Sequence, residues 1–559
     1  MPSLLRGRRV AFAVALALPA GAWAQQPTPA DLPARIDAIF ARFDRTSPGC
    51  GVGLGKDGHP LYTHGYGAAN LEYGVPNTDS TVFESGSVAK QFTASALVLL
   101  AQDGKLSLDD DIHKYLPEVP SFGGQTITIR NLLTHTSGLR DQWGLLGIEG
   151  RGPGLQVHSP VTTLDLVAHQ KMLNFPPGSE YLYSNTGYAL AGLIVQRVSG
   201  KTLNEFTQER LFRPLGMMHT QWRDDFTRVV PNRATAYSGS TSTGYHTDMP
   251  FTNMVGNGGV LSTMSDLLRW NDNLDHPMVG GQSYVDALET RMRLTNGRTI
   301  TYALGLEIAD HEGIREVSHS GSTAGYRTFL ARYPDQHVSV AVWCNYAGAN
   351  PIQLGHQVAD LVLTRPAMTT AQASPDNVDV PSSAIARWAG SYRDPNTDQT
   401  MVLTATSTGL AIAGGRGGRG STILAPLGGA RFHAPQGEAV FSGETGRRSI
   451  LIIRPDGDTS HYAEVRAAPT TIQVNDYLGT YASDELDVRF TIVAREGKLY
   501  LQRRPYEEFE LRPVYADDFQ PVGGGLGTMR FARGSDGRVT GFAFFAGRVL
   551  DVRFRRMAR

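Results

Sequence analysis

Ser87 and Lys90 stand three residues apart in the run Phe83-Glu84-Ser85-Gly86-Ser87-Val88-Ala89-Lys90. On a helix that spacing puts the two side chains on one face, a turn apart. A serine hydroxyl attacks a carbonyl once something takes its proton, and a neighbouring amine can do so when its own proton is partly lost. The start of a helix also favours negative charge developing on the serine oxygen. Alone the pattern is weak, because an N-capping serine followed by a solvated lysine reads the same way. Two later stretches add to it. Tyr183-Ser184-Asn185 combines a phenol and an amide, and His319-Ser320-Gly321, followed by Ser322, lies just before an expected strand.

Elements of the right kind surround these residues. Val88, Phe92, Ala96 and Leu99 form one apolar stripe, so a helix is expected after Phe83, ending at Gly104. Residues 32–43 have helical spacing, with Ile36, Ile39, Phe40 and Phe43 on one face, and 50–67 read as a hairpin turning at Lys56-Asp57-Gly58. Residues 105–290 mix helices with Gly- and Pro-bearing loops. Strands are expected at 302–308, 326–333 and 338–345, and a closing helix at 351–363. Strands at both ends with helices between fit one mixed sheet carrying helices. Residues 365–381 have linker composition. Beyond them the pattern changes to short strands and turns, and it repeats: Trp388-Ala389-Gly390-Ser391-Tyr392 resembles Tyr477-Leu478-Gly479-Thr480-Tyr481, Pro426 and Phe432 recur as Pro513 and Phe519, and Asp456-Gly457 as Asp536-Gly537. Two all-β, barrel-like modules are expected, at 382–466 and 472–558, with 416–420 a Gly/Arg loop in the first.

The three motifs, in this order and spacing, resemble the serine β-lactamase and penicillin-binding family, most closely its class C β-lactamase, D-aminopeptidase and CubicO-type branch. The resemblance covers residues 32–363 and implies an α+β catalytic domain at 32–364, with a mainly antiparallel sheet, helices packed on it and an all-helical part. It implies Ser87 as acylated nucleophile, Lys90 as a member of its proton network and Tyr183 as a phenolate-like base. Asn185 would donate to substrate, and His319 would face the pocket from an edge strand. The third motif, with Gly321, would bring the N–H of Ser322 beside that of Ser87 as an oxyanion hole. Leu132 to Leu139 in the run Leu-Leu-Thr-His-Thr-Ser-Gly-Leu, Pro214-Leu215-Gly216-Met217 and Gly258-Gly259-Val260-Leu261-Ser262 look like the family's structural segments. His113 and His135 read as structural. In the family's β-lactamases the third motif is commonly Lys-Thr-Gly. Here a histidine, mostly neutral at pH 7, replaces a cation able to hold a carboxylate, which favours amides, peptides or esters over penicillins. In the fold this resembles, Cys50 and Cys344 lie on neighbouring antiparallel strands, so they form either a disulfide or two buried thiols.

The remaining features bound the class. With 52 basic and 53 acidic residues the net charge is −1, which gives no basic footprint for nucleic acid or an anionic membrane. Arg6, Arg8 and Arg9, the apolar run 10–18 and Ala22-Trp23-Ala24 read as a signal peptide at 1–24. Its removal leaves 49 basic and 53 acidic residues, a net of −4. Export to the periplasm or the medium follows, with no integral membrane segment afterwards. No G-x-S-x-G, H-E-x-x-H, Cys/His cluster, P-loop or dinucleotide fingerprint occurs, so neither cofactor nor metal is expected. The reading is an exported serine hydrolase taking a small-molecule or peptide substrate, D-amino-acid peptides among them. A carboxylesterase, then a β-lactamase or D,D-carboxypeptidase, are the enzymatic alternatives, and a slowly acylating ligand sensor is the non-enzymatic one. No sequence feature specifies an oligomeric state.

Overall fold

Along one strand Val340, Val342 and Cys344 alternate with Ala341 and Trp343, and all five are buried, the first three in one apolar cluster and the other two in a second. Side chains of a strand point alternately to opposite faces, so this strand is covered on both. The computed structural model describes residues 31–365, 380–395, 400–413, 422–434, 437–454, 459–466, 472–504 and 507–558. The segment 1–24, most of 365–381, the loop 416–420 and Asp456-Gly457 lie outside them.

The buried strand belongs to a six-stranded antiparallel sheet. In chain order its strands are β1 (Cys50–Lys56), β2 (His59–Tyr66), β3 (Glu307–His311), β4 (Ile314–Thr323), β5 (Tyr326–Tyr333) and β6 (Val338–Cys344), arranged β3-β4-β5-β6-β1-β2. Five helices complete the two layers around it: α1 (Leu32–Phe40), α2 (Lys90–Gln102), α3 (Asn185–Ser199), α4 (Met264–Asp275) and α5 (Pro351–Ala359). α1 and α5 cover the outer face, where Ile36, Phe40, Val52, Phe329, Leu354 and Val358 share one core. α4 packs on the inner face against β1 and β6, and α2 and α3, packed on each other, complete the same core, which holds Phe92, Tyr188, Trp270 and Trp343. The first and last strands meet in register, Cys50 opposite Cys344, and the two cysteines form a disulfide.

Three expectations need correction. The strand expected at 302–308 begins only at Glu307. Gly305, at φ +74°, presses on the backbone of Lys90 and Gln91, where a Cβ would come within 2.8 Å, and the chain bends there. His319-Ser320-Gly321 lies inside β4 rather than before a strand, because the extended segment already starts at Ile314. β4 is also not an edge strand. β3 pairs with Ile314 to Ser318 and stops, so the stretch from His319 to Thr323 has β5 on one side and no strand on the other.

The C-terminal part forms two closed eight-stranded barrels, from Gly390–Arg393 to Thr459–Glu464 and from Gly479–Ala482 to Val552–Arg556. The internal repeat has a physical counterpart. The Tyr392 hydroxyl donates to the Trp388 carbonyl (2.9 Å) as the Tyr481 hydroxyl does to Tyr477 (2.7 Å), and Pro426 opposes Phe432 as Pro513 opposes Phe519. The second barrel is fastened to the catalytic unit. Leu145 and Ile148, on the helix Gln142–Glu149, enter the same core as Val549 and Phe544. The buried Arg140 guanidinium donates to Glu485 (2.5 Å) and to the carbonyls of Leu550 and Asp551 (both 2.9 Å). Among the described residues no helix is long and apolar enough to cross a membrane.

Candidate active site

The turn that presents Ser87 is held from several sides. The strand Phe83–Glu84 pairs with Val260–Ser262. Buried Glu84 accepts from Arg223 Nε and Nη2 (2.9 and 2.7 Å) and from Arg233 (3.0 Å). The Ser85 carbonyl accepts from Thr328 Oγ1 (2.7 Å). Gly86, at φ +50°, and Gly321 then let β4 touch this turn. A Cβ on Gly86 would lie 2.5 Å from Ser322 N, and one on Gly321 would lie 2.1 Å from Ser85 O and 2.9 Å from Ser87 N. The backbone nitrogens of Ser87 and Ser322 are thereby side by side. The first N–H groups of a helical segment have no acceptor within it, and Ser87 is the second residue of the short 3-10 turn Gly86–Ala89 that leads into α2. This is the geometry of an oxyanion site.

Lys90, fully buried at the first turn of α2, reaches Ser87 Oγ (3.0 Å), Asn185 Oδ1 (2.9 Å) and the Asn257 carbonyl (2.7 Å). Two of these partners can only accept. A neutral amine that gives its two protons to them turns its lone pair toward Ser87. Burial pushes the Lys90 pKa well below the ordinary lysine range, nearby Asp141 opposes this, and Arg548 adds to it. Asn185 is set by Asp141, whose Oδ2 accepts from its backbone N (2.7 Å) and from its Nδ2 (2.8 Å). The Asn185 carbonyl is therefore committed to Lys90, and one amide proton remains for a ligand.

Tyr183 lines the cleft beside Ser87, and burial pushes its pKa above the ordinary phenol range. A phenolate is disfavoured there, in contrast to the expected phenolate-like base. His135 supports the ring at 4.0 Å between centroids and accepts from Ser184 N at Nδ1 (3.1 Å). The segment read as structural thus braces the second motif. His319 lines the cleft but is 3% exposed. Its Nδ1 bonds the Ser320 carbonyl (2.6 Å), which places the proton on Nδ1, and its Nε2 accepts from the Tyr302 hydroxyl (2.8 Å). Burial, reinforced by Lys90, lowers its pKa to about 3. His319 is a neutral wall with both nitrogens engaged.

These groups open into a cleft of about 780 Å³ that also contains Trp143, Glu307, Gly321, Ser322 and Arg548. Sequence reasoning missed Tyr302, Glu307 and Arg548, and it placed Asp141 and Asn257 only as bounds of pocket loops, at 141–161 and 224–257, without a role. Asn257 directly precedes the Gly258-Gly259 segment, which was the available signal. Arg548 had none, because it comes from the second barrel. The Arg548 carbonyl accepts from Asp141 N (3.3 Å) and Asn174 Nδ2 (3.0 Å), and its guanidinium lies 4.4 Å from the centre of the Tyr183 ring. Neither Arg548 nor Glu307 has an ion-pair partner among the described residues.

The Beta-lactamase family model matches residues 36–363. The D-aminopeptidase of Brucella anthropi is 28% identical over 460 residues, 81% of this chain and 82% of its own length, so the likeness runs past the catalytic unit into the barrels. Two solved structures share the fold. The octameric penicillin-binding protein homologue from Pyrococcus abyssi superposes with a TM-score of 0.54 at 23% identity, over 78% of this chain and 99% of that one. The D-amino acid amidase from Ochrobactrum anthropi SV3 gives 0.50 at 22% identity, over 59% and 98%.

Proposed function

The chain belongs to the beta-lactamase family and is a serine hydrolase, and from that premise we propose that it cleaves the first amide bond of small peptides or amino-acid amides bearing a free amino group, D-amino-acid peptides foremost. The observation that carries the chemistry is the buried Lys90 amine 3.0 Å from Ser87 Oγ, its other contacts being the acceptors of Asn185 and Asn257. Neutral Lys90 takes the Ser87 proton as Oγ bonds to the substrate carbonyl carbon, and the N–H groups of Ser87 and Ser322 receive the oxyanion. The C–N bond breaks, and the proton passes to the leaving nitrogen with the Tyr183 hydroxyl as relay. Water then gives a proton to Lys90 and its oxygen to the acyl carbon. The ester bond to Ser87 breaks and Oγ regains the proton.

The choice of substrate rests on the charges left in the cleft. Glu307 stands at its rim, where partial desolvation and then the Glu316 carboxylate raise its pKa, and an ammonium beside it would favour its ionised form. Arg548 offers unpaired donors for a carbonyl or carboxylate on the leaving side. The name of the Brucella relative points to the same class. Neutral His319 supplies no cation at the third motif, where Lys-Thr-Gly would offer one to the carboxylate of a β-lactam. We also propose export, supported by the leader-like segment 1–24 and by a disulfide, which suits an oxidising compartment. The test compares D- and L-alanine amide, N-acetyl-D-alanine amide, nitrocefin and a p-nitrophenyl ester on the wild type and on Glu307→Gln. Turnover of the free D-amide that falls on N-acetylation, and falls in Glu307→Gln through KM, is expected. A preference for the ester or for nitrocefin would overturn the substrate assignment.

A further inference from the structure

On the sheet face turned away from Ser87, β3, β4 and α5 bring two imidazoles and a carboxylate together. Ile314 and Glu316 share the outer face of β4, whereas Val317 and His319 face inward. Donor atoms of His311, Glu316 and His356, one from each, all lie within 4.8 Å of one another. The His311 and His356 rings are stacked at 4.1 Å. His356 Nε2 is 2.8 Å from Glu316 Oε2, across 40 residues of sequence. A tetrahedral ion with bonds of about 2.0–2.2 Å sets its ligand atoms about 3.3–3.6 Å apart, so the wider separations must close by at most about 1.5 Å and the His356–Glu316 contact must open by about half an ångström.

The surroundings are built as an outer shell is built around metal ligands. Glu316 Oε1 accepts from Ser318 Oγ (2.8 Å) and Oε2 from the Tyr333 hydroxyl (2.9 Å). Asp360 Oδ1 lies 2.8 Å from His311 Nε2, and its Oδ2 is 3.1 Å from Arg365. A carboxylate on one ring nitrogen orients the ring and leaves the other for an ion. The side chains of Glu316, His311 and His356 are 7%, 12% and 29% exposed, so the group is protected but can be reached from solvent.

We propose that His311, Glu316 and His356 bind one zinc-type divalent ion, with a fourth position for water, pinning α5 to the β3–β4 hairpin. Two nitrogens and one oxygen suit zinc rather than calcium or magnesium, which take oxygen ligands. The site is separate from the Ser87 chemistry. No spacing motif announces it, which is why the sequence suggested no metal.

The test is calorimetric titration of the chelator-treated full mature chain with zinc chloride, alongside His311→Asn, His356→Gln and Ser87→Ala. One equivalent is expected in the wild type and in Ser87→Ala, with a higher Tm in zinc, and binding at least about tenfold weaker in each histidine variant. A zinc-edge X-ray absorption spectrum of the wild-type chain gives a second reading that needs no variant, and it should show two imidazoles. Absence of stoichiometric binding, binding unchanged in both histidine variants, or a spectrum with fewer than two imidazoles would overturn the proposal.

Discussion

Three influences meet at the Lys90 amine. Burial and the Arg548 guanidinium favour its neutral form, and Asp141 favours the ammonium. If the neutral amine is the base, activity is lost as pH falls through the Lys90 pKa, and that limb should respond to each charge with a definite sign. Arg548→Gln removes a neighbouring cation, raises the Lys90 pKa and moves the acid limb of kcat/KM to higher pH. Asp141→Asn removes an anion, lowers the pKa and moves the limb to lower pH. Profiles of the two variants against wild type check both directions. His319 should contribute nothing to this limb above pH 4, since its pKa lies near 3. Ser87, Lys90 and Tyr183 were legible in the sequence because two lie within one helical turn and the third sits in a short motif. The state of Tyr183 was not, because it depends on burial by His135 and Tyr302, which spacing does not report.

Among the elements, the contact between β4 and the nucleophile turn sets the oxyanion geometry. A Cβ at Gly321 would meet the Ser85 carbonyl at 2.1 Å, and backbone cannot yield as a flexible side chain does. Gly321→Ala should lower kcat by about 10²–10³, the usual cost of losing an oxyanion donor, and destabilise the fold by about 1–3 kcal/mol as an overpacked site. Steady-state kinetics and urea unfolding measure the two effects. The disulfide belongs to this scale as well. It joins the first strand to the last across 294 residues, so Cys50→Ser with Cys344→Ser should cost about 2–5 kcal/mol in the same unfolding assay. Apolar alternation located β5 and β6 closely. It misplaced β3 because Tyr302, Leu304 and Leu306 are buried like strand residues although Gly305 turns the chain between them. The position of β4 within the sheet could not be read either, since strand order depends on long-range pairing.

For the whole molecule, the second barrel is part of the active site rather than an appendage. Arg140, with 0% of its side chain exposed, pairs with Glu485 at 5% and holds the barrel loop that carries Arg548. Removing one partner of a buried pair strands the other charge, at a cost of about 3–5 kcal/mol. Arg140→Met should therefore loosen the barrel, seen as faster proteolysis in the loop around Arg548, and should shift the acid limb of kcat/KM upward as Arg548→Gln does. The repeat made both barrels legible through Tyr392 and Tyr481, each donating to the carbonyl four residues before it. Their docking was not, because the interface pairs Arg140 with a residue 345 positions away. The central claim, that Ser87 is the acylated nucleophile, is tested most directly by intact-mass and peptide mapping after treatment with a fluorophosphonate. One adduct per chain on the peptide containing Ser87, absent from Ser87→Ala, is predicted. An adduct on another residue, or equal labelling of Ser87→Ala, would contradict the account.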